Sequence, residues 1–347
     1  MNLFIYPQAA NNKNGYSIGV EYAYNRITPK DDDIVIWYTS YDKKDIWHLR
    51  EKDIIIKRQG ACSCKSMINI VYGKVRSELN TKDLSFLSEY EFENIYCDDI
   101  IFYRALRALF PHKKIQVRFH NCYTRIMCRN QVLKKNLGLK YKLLLKSIVP
   151  LETEIFNDKN VYKVFLLDED RDFYCSMCGV RSDSETWPFK PDNSKMEENR
   201  KGIIIDNRLV WFGGLDSHKE SSVKWFINEV LPHLKGYMPE IEFHLWGGGT
   251  ERFDDKSNNI YGHGFYDGQG LPLEHSLYVN PDIIGGGIKL KLLTLLEQGL
   301  PFISTPFGFE GYNKNLIDGL YCNVIEEAKW AEYIIDFLSR YSQKGSV

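Results

Sequence analysis

Three consecutive glycines, Gly285, Gly286 and Gly287, run directly into two closely spaced lysines, Lys289 and Lys291. Leu290, Leu292, Leu293, Leu295 and Leu296 recur with helical spacing, and Gly299 closes the run before Pro301 to Ser304, which reads as a buried strand. A glycine turn that opens a helix offers backbone N–H groups to an anion at the positive end of the helix dipole. Two ammonium groups beside it add full charges. Such a stretch is suited to holding a diphosphate. The bland alternative is a tight turn with two solvated lysines, and the rest of the chain must separate the two.

The elements needed to position this stretch are legible from hydrophobic rhythm. Leu3 to Tyr6 reads as a strand, followed by a glycine-bearing loop that ends at Gly15 and a helix from Tyr16 to Tyr24. Further strands are expected at Asp33 to Trp37, Asp53 to Lys57, Asn94 to Tyr96, Lys114 to Phe119 and Tyr162 to Leu167, with a helix at Ile100 to Leu109. The strand Lys114 to Phe119 delivers His120 at its carboxyl end, where open α/β sheets bind ligands. Ser182 to Arg200 is polar and charged, with Pro188 and Pro191, and marks a linker. The rhythm then restarts: a strand at Arg208 to Phe212 with Gly213-Gly214, a helix at Ser221 to Leu231 ended by Pro232, strands at Ile241 to Trp246, Asn259 to Gly264 and Leu277 to Asn280, and an amphipathic helix at Ala328 to Tyr341. The expected fold is α/β, two Rossmann-like doubly wound domains facing across a cleft. The first covers 1–188, a linker 189–206 and the second 207–326; a helix within 327–347 is placed to pack back on the first domain.

Composition narrows the function classes. The chain has 347 residues, enough for two ordinary domains, with 44% hydrophobic and 26% charged residues. A formal net charge of −1 gives no bulk reason to bind nucleic acid. No run reaches the ~18 apolar residues of a membrane span, and no secretory segment is visible, so a cytoplasmic protein with reduced thiols is expected. Cys62 and Cys64 lie far from Cys175 and Cys178, without histidines at zinc-site spacing, and read as ordinary thiols. Asp168-Glu169-Asp170 follows a strand in the manner of an acidic loop or, less simply, a metal site. Arg125 to Lys146 is basic, with Arg129, Lys134, Lys135, Lys140 and Lys142 among interleaved leucines; it suits either an anionic membrane surface or a solvated helix.

Taken in order, the second half resembles the two-Rossmann GT-B glycosyltransferases, in particular the retaining group-1, family-4-like set. The resemblance rests on Leu209-Val-Trp-Phe-Gly-Gly-Leu215, Trp225 to Pro232, Phe243-His-Leu-Trp-Gly-Gly-Gly249, Gly262 to Asp267, Gly287-Ile-Lys-Leu-Lys291 and Gly299 to Pro306. It implies that Gly213, Lys219, Gly286, Gly287, Lys289 and Lys291 bind the donor diphosphate. It further implies that Gly264 and Phe265 lie beside the nucleobase, that Gly15 belongs to a loop over the donor, and that His120 serves at the sugar and acceptor. Many members carry a glutamate at each of the positions occupied here by Gly286 and Thr294, and an arginine where this chain has Gly214.

The resemblance implies a metal-independent hexosyltransferase-type enzyme. It would move a sugar from a nucleotide-sugar to a glycan acceptor, lipid-linked and met at the inner face of the membrane, in surface-polysaccharide assembly. A nucleotide-sugar epimerase of the same fold and a catalytically silent donor-binding protein are the alternatives. The sugar, nucleotide, acceptor and linkage are not written in these residues.

Overall fold

A computed structural model describes residues 1–7, 15–58, 75, 78–132, 139–189, 205–215, 217–266, 275–283, 286–312 and 326–342. The chain divides into two compact units, Met1–Pro188 and Phe189–Val347. In the first unit the described strands are β1 (Leu3–Pro7), β2 (Ile34–Thr39), β3 (Ile54–Lys57), β4 (Ile95–Cys97), β5 (Ile115–Phe119), β6 (Val161–Phe165) and β7 (Ser184–Thr186). They form one sheet in the order 3-2-1-4-5-6-7, and neighbouring strands are parallel throughout. The direction of travel reverses between β1 and β4, the crevice where doubly wound sheets receive ligands.

Parallel sheets are covered on both faces, which is why β1 is buried along its whole length. Alternate residues supply the two cores. Phe4 and Tyr6 pack with Val20, Ala23 and Tyr24 of helix α1 (Gly15–Arg26). Leu3 and Ile5 belong to the opposite core, with residues of α2 (Tyr103–Leu109) and with Ile148, Leu151 and Ile155 of a later helix. The basic segment is not one helix. It spans α3 (Tyr123–Val132) and the start of α4 (Leu139–Asn157), while Lys134 and Lys135 lie outside the described residues. Lys142 and Lys146 are exposed.

The acidic triplet opens α5 (Asp168–Cys178), where carboxylates complement the helix dipole. Asp170 is buried and meets Arg125 at 2.9 Å, and Asp168 meets Arg171 at 3.2 Å. These carboxylates are engaged in ion pairs, and no metal-holding group of three or more His, Cys, Asp or Glu occurs among the described residues. Cys62 and Cys64 lie outside those residues. None of the described helices is long and apolar enough to cross a membrane.

The second unit carries β8 (Arg208–Phe212), β9 (Glu242–Trp246), β10 (Ile260–Gly264), β11 (Leu277–Asn280) and β12 (Phe302–Ser304). Their order is 10-9-8-11-12, again parallel, with the reversal between β8 and β11. The expected helix does not end at Pro232. Helix α6 (Ser217–Trp225) runs through a π-turn at Phe226–Val230 into α7 (Leu231–Tyr237). A proline lacks the N–H of the helical ladder and its ring crowds the preceding turn, and the wider π-turn accommodates both defects. Helix α8 is Leu290–Glu297, and Gly299 behind it has φ +66°, a left-handed closure that glycine adopts without a Cβ clash.

The last helix, α9 (Glu327–Ser342), buries Trp330, Ala331, Ile334, Phe337 and Leu338 in the core of the second unit. Trp330 meets Trp225 and Phe226 edge-on, each at 5.8 Å. The large indole of Trp330 completes that core.

A buried carboxylate ties two helices of the first unit together. Glu152 of α4 is fully buried and accepts from the Tyr123 N–H (2.7 Å), the Thr124 N–H (2.6 Å) and the Thr124 hydroxyl (2.6 Å) at the start of α3. Burial pushes its carboxyl up to about 7, against the pull of these donors. A carboxyl whose folded value lies above its unfolded one contributes stability below the unfolded value and loses it as pH rises through the folded one. The parent's stability advantage over Glu152→Gln should therefore shrink by roughly 2–3 kcal/mol as pH rises from 4.5 to 8. Urea denaturation at both pH values measures it, and an unchanged difference would refute the coupling.

Candidate active site

The glycine turns after β8 and β9 are built against each other. Gly213 donates its N–H to the Trp246 carbonyl at 2.9 Å, and a Cβ on Gly247 would stand 2.0 Å from the Gly213 carbonyl oxygen. Only a residue without a side chain fits that approach. The Gly247 N–H in turn reaches the Gly264 carbonyl at 2.6 Å. Gly213, Gly247 and Gly264 thus form one backbone-lined rim at the carboxyl ends of β8, β9 and β10. Phe265 follows, 79% exposed. Behind the rim His263 stacks on Trp246 at 4.1 Å. Its ring bonds His244 at 2.9 Å, and Glu242 meets the other side of His244 at 3.0 Å. Burial lowers the affinity of both imidazoles for a proton.

The two lysines of the glycine-turn stretch take different roles. Lys289 precedes α8 and turns its ammonium back to the carbonyls of Gly286 (2.9 Å) and Gly287 (3.2 Å). Gly287 has φ +67°, which shapes this turn, and the Tyr312 hydroxyl donates to the Lys289 carbonyl at 3.0 Å. Lys291 points inward. Its ammonium stands 3.2 Å from a carboxylate oxygen of Asp282 and 5.2 Å from the centre of the Trp211 ring. That ring also lies 3.6 Å from where a Cβ of Gly213 would be. Gly213, Trp211, Lys291 and Asp282 are therefore gathered at the reversal between β8 and β11. The Trp211 indole N–H and both Asp282 carboxylate oxygens lack hydrogen-bond partners among the described residues.

Lys219 lies in the first turn of α6, partly buried. Thr294 supplies no carboxylate and turns its hydroxyl to the Leu290 carbonyl. Gly285 lies outside the described residues, as does the loop 8–14, so that Gly15 enters only as the first residue of α1.

His120 closes β5 in the first unit, and its side chain is 9% exposed. Its Nε2 lies 2.8 Å from the Asp98 carbonyl oxygen. A carbonyl only accepts, so in this contact Nε2 is the donor. Asp98 follows β4 and grips Arg118 through Nε and through Nη2 (3.2 Å), while Nη2 also donates to the Gly19 carbonyl at 2.6 Å. A Cβ on Gly19 would stand 3.3 Å from His120 Nδ1. Asp98, Arg118 and Gly19 were not singled out from the sequence. The only signal is an Asp at one strand end and an Arg near another, which becomes informative once β4 and β5 are neighbours.

Known proteins agree with this architecture. Residues 206–340 match the family model for glycosyl transferases group 1. An uncharacterized 44.6 kDa protein in the cps region of Klebsiella pneumoniae is 20% identical over 287 residues, 71% of this chain and 73% of that protein. Among solved structures, WaaG, a glycosyltransferase involved in lipopolysaccharide biosynthesis, superposes with a TM-score of 0.58 at 15% identity, covering 99% of this chain and 98% of its own. The E. coli trehalose-6-phosphate protein bound with UDP-2-fluoro glucose gives 0.59 at 10% identity, covering 99% and 93%. The chain thus shares the two-sheet GT-B fold of these structures, and its residues 206–340 are similar to the group 1 glycosyl transferases.

Proposed function

We propose that this enzyme transfers a sugar from a nucleotide-sugar to a glycan acceptor during surface-polysaccharide assembly, with the second unit holding the donor. The observation that carries the donor assignment is the gathering of Gly213, Trp211 and Lys291 where the strand order reverses. The cps-region relative and the similarity to WaaG support the polysaccharide setting. In the reaction the anomeric C–O bond to the diphosphate breaks and negative charge grows on the departing phosphate oxygens. Cations and amides already held in place stabilise that charge without reorganisation. Lys291, Lys289 and the amino end of α8 are the groups for this task, and transfer is metal-independent on this reading. In the first unit, His120, held through Nε2 at the Asp98 carbonyl, takes the acceptor hydroxyl's proton on this reading. The acceptor is lipid-linked, and the exposed Lys142 and Lys146 meet anionic headgroups.

Incubation with nucleotide-sugars tests the donor reading directly. Slow hydrolysis above background, insensitive to chelator, is expected; free-epimer formation would point to an epimerase instead. Lys291→Ala should lower turnover by about a hundredfold or more, assayed where the variant remains folded; normal turnover would remove Lys291 from the mechanism. His120→Ala should cost about a hundredfold or more, and activity within a few-fold of the parent would make His120 structural. The parent should sediment with anionic liposomes and the Lys142→Glu/Lys146→Glu variant should not; absence of parent binding would end the membrane proposal.

A further inference from the structure

Asp282 is a buried carboxylate, 2% exposed, that lies two residues beyond β11. Neither of its side-chain oxygens accepts a hydrogen bond among the described residues. A buried charge left in this condition is costly, and native folds rarely keep one without a use. The cation that faces it is Lys291, at 3.2 Å. The backbone around Asp282 is fixed from two sides. The Thr305 hydroxyl donates to its carbonyl, and the next residue, Ile283, donates its N–H to the Ser222 hydroxyl at 3.4 Å. Asp282 is thus a firm anchor set against the most flexible kind of cation, an ammonium on a four-carbon stem.

We propose that Asp282 is a positioning residue for the donor site: its carboxylate holds the Lys291 ammonium in the orientation from which it meets the leaving diphosphate. The inference rests on the donor reading given above for Lys291. It makes a prediction of unusual sign. A carboxylate beside a diphosphate repels it, so removing that charge strengthens diphosphate binding if Asp282 does nothing for Lys291. If Asp282 positions Lys291, removing it weakens binding instead. A role confined to stability moves the melting temperature and leaves this sign untouched.

Titration calorimetry with UDP, GDP, ADP and TDP, on folded protein, provides the test. The parent binds at least one of them. For that nucleotide Asp282→Asn should weaken binding by about tenfold, in line with losing a group that fixes a charged contact. The same substitution made on top of Lys291→Ala should weaken it no further, because the lysine it positions is gone. Asp282→Glu, which keeps the charge but displaces it by one methylene, should also weaken binding and serves if Asp282→Asn does not fold. Equal or tighter binding by Asp282→Asn, unchanged binding by Asp282→Glu, or equal weakening with and without Lys291 would overturn the proposal while leaving the donor site standing. Failure of the parent to bind any of the four would overturn the donor reading itself, and this inference with it.

Discussion

A carboxylate withdrawn from water has to be met by a cation, and in the second unit the meeting of Asp282 with Lys291 fixes how β11 hands over to α8. The contact draws the lysine away from solvent and across the Trp211 ring. It also places a positive charge beside the glycine turn that follows β8, since the same ring lies under Gly213. The arrangement depends on β8 and β11 being neighbours although β9 and β10 come between them in the chain. Without that crossover Trp211 and Asp282 would have no reason to share a lysine.

The first unit solves the same problem at the equivalent place. Its strand order reverses between β1 and β4, and the residue just past β4 is Asp98, buried and gripping Arg118 from the end of β5. In each unit an aspartate at the reversal is matched by a basic side chain from a later element. The first pair uses the planar fork of arginine to hold Asp98 and to reach the Gly19 carbonyl of α1. The second uses a single ammonium and leaves carboxylate oxygens without hydrogen bonds. Arg118 thus bonds both oxygens of Asp98, whereas Asp282 faces a single ammonium.

Much of the architecture follows from hydrophobic rhythm and punctuation. The first-unit strands from β1 to β6 and the described strands of the second unit fall within a residue or two of where apolar runs and glycines put them, because a parallel sheet buried on both faces writes itself as continuous apolar stretches. Short β7, intermediate in burial, has no such run and was not expected. Pro232 has the local character of a helix stop, yet tertiary packing of Phe226, Val230 and Leu234 carries the helix past it through a π-turn. Asp168 to Asp170 read as a loop after a strand and proved to open α5, where Asp170 finds Arg125, distant in sequence.

The sequence alone determined the glycine turns, the lysines beside them, and the strand that ends at His120, because these depend on local spacing and on the special reach of residues without side chains. It could not determine what the lysines face. Lys289 turns to its own loop carbonyls and Lys291 to Asp282, contacts that exist only after the chain has folded β11 and α8 against β8. Nor could it show that His120 leans on the Asp98 carbonyl, which depends on β4 and β5 lying side by side. Local spacing specifies which groups are available, while partners and charge environment are properties of strand order, which only the packed sheet supplies.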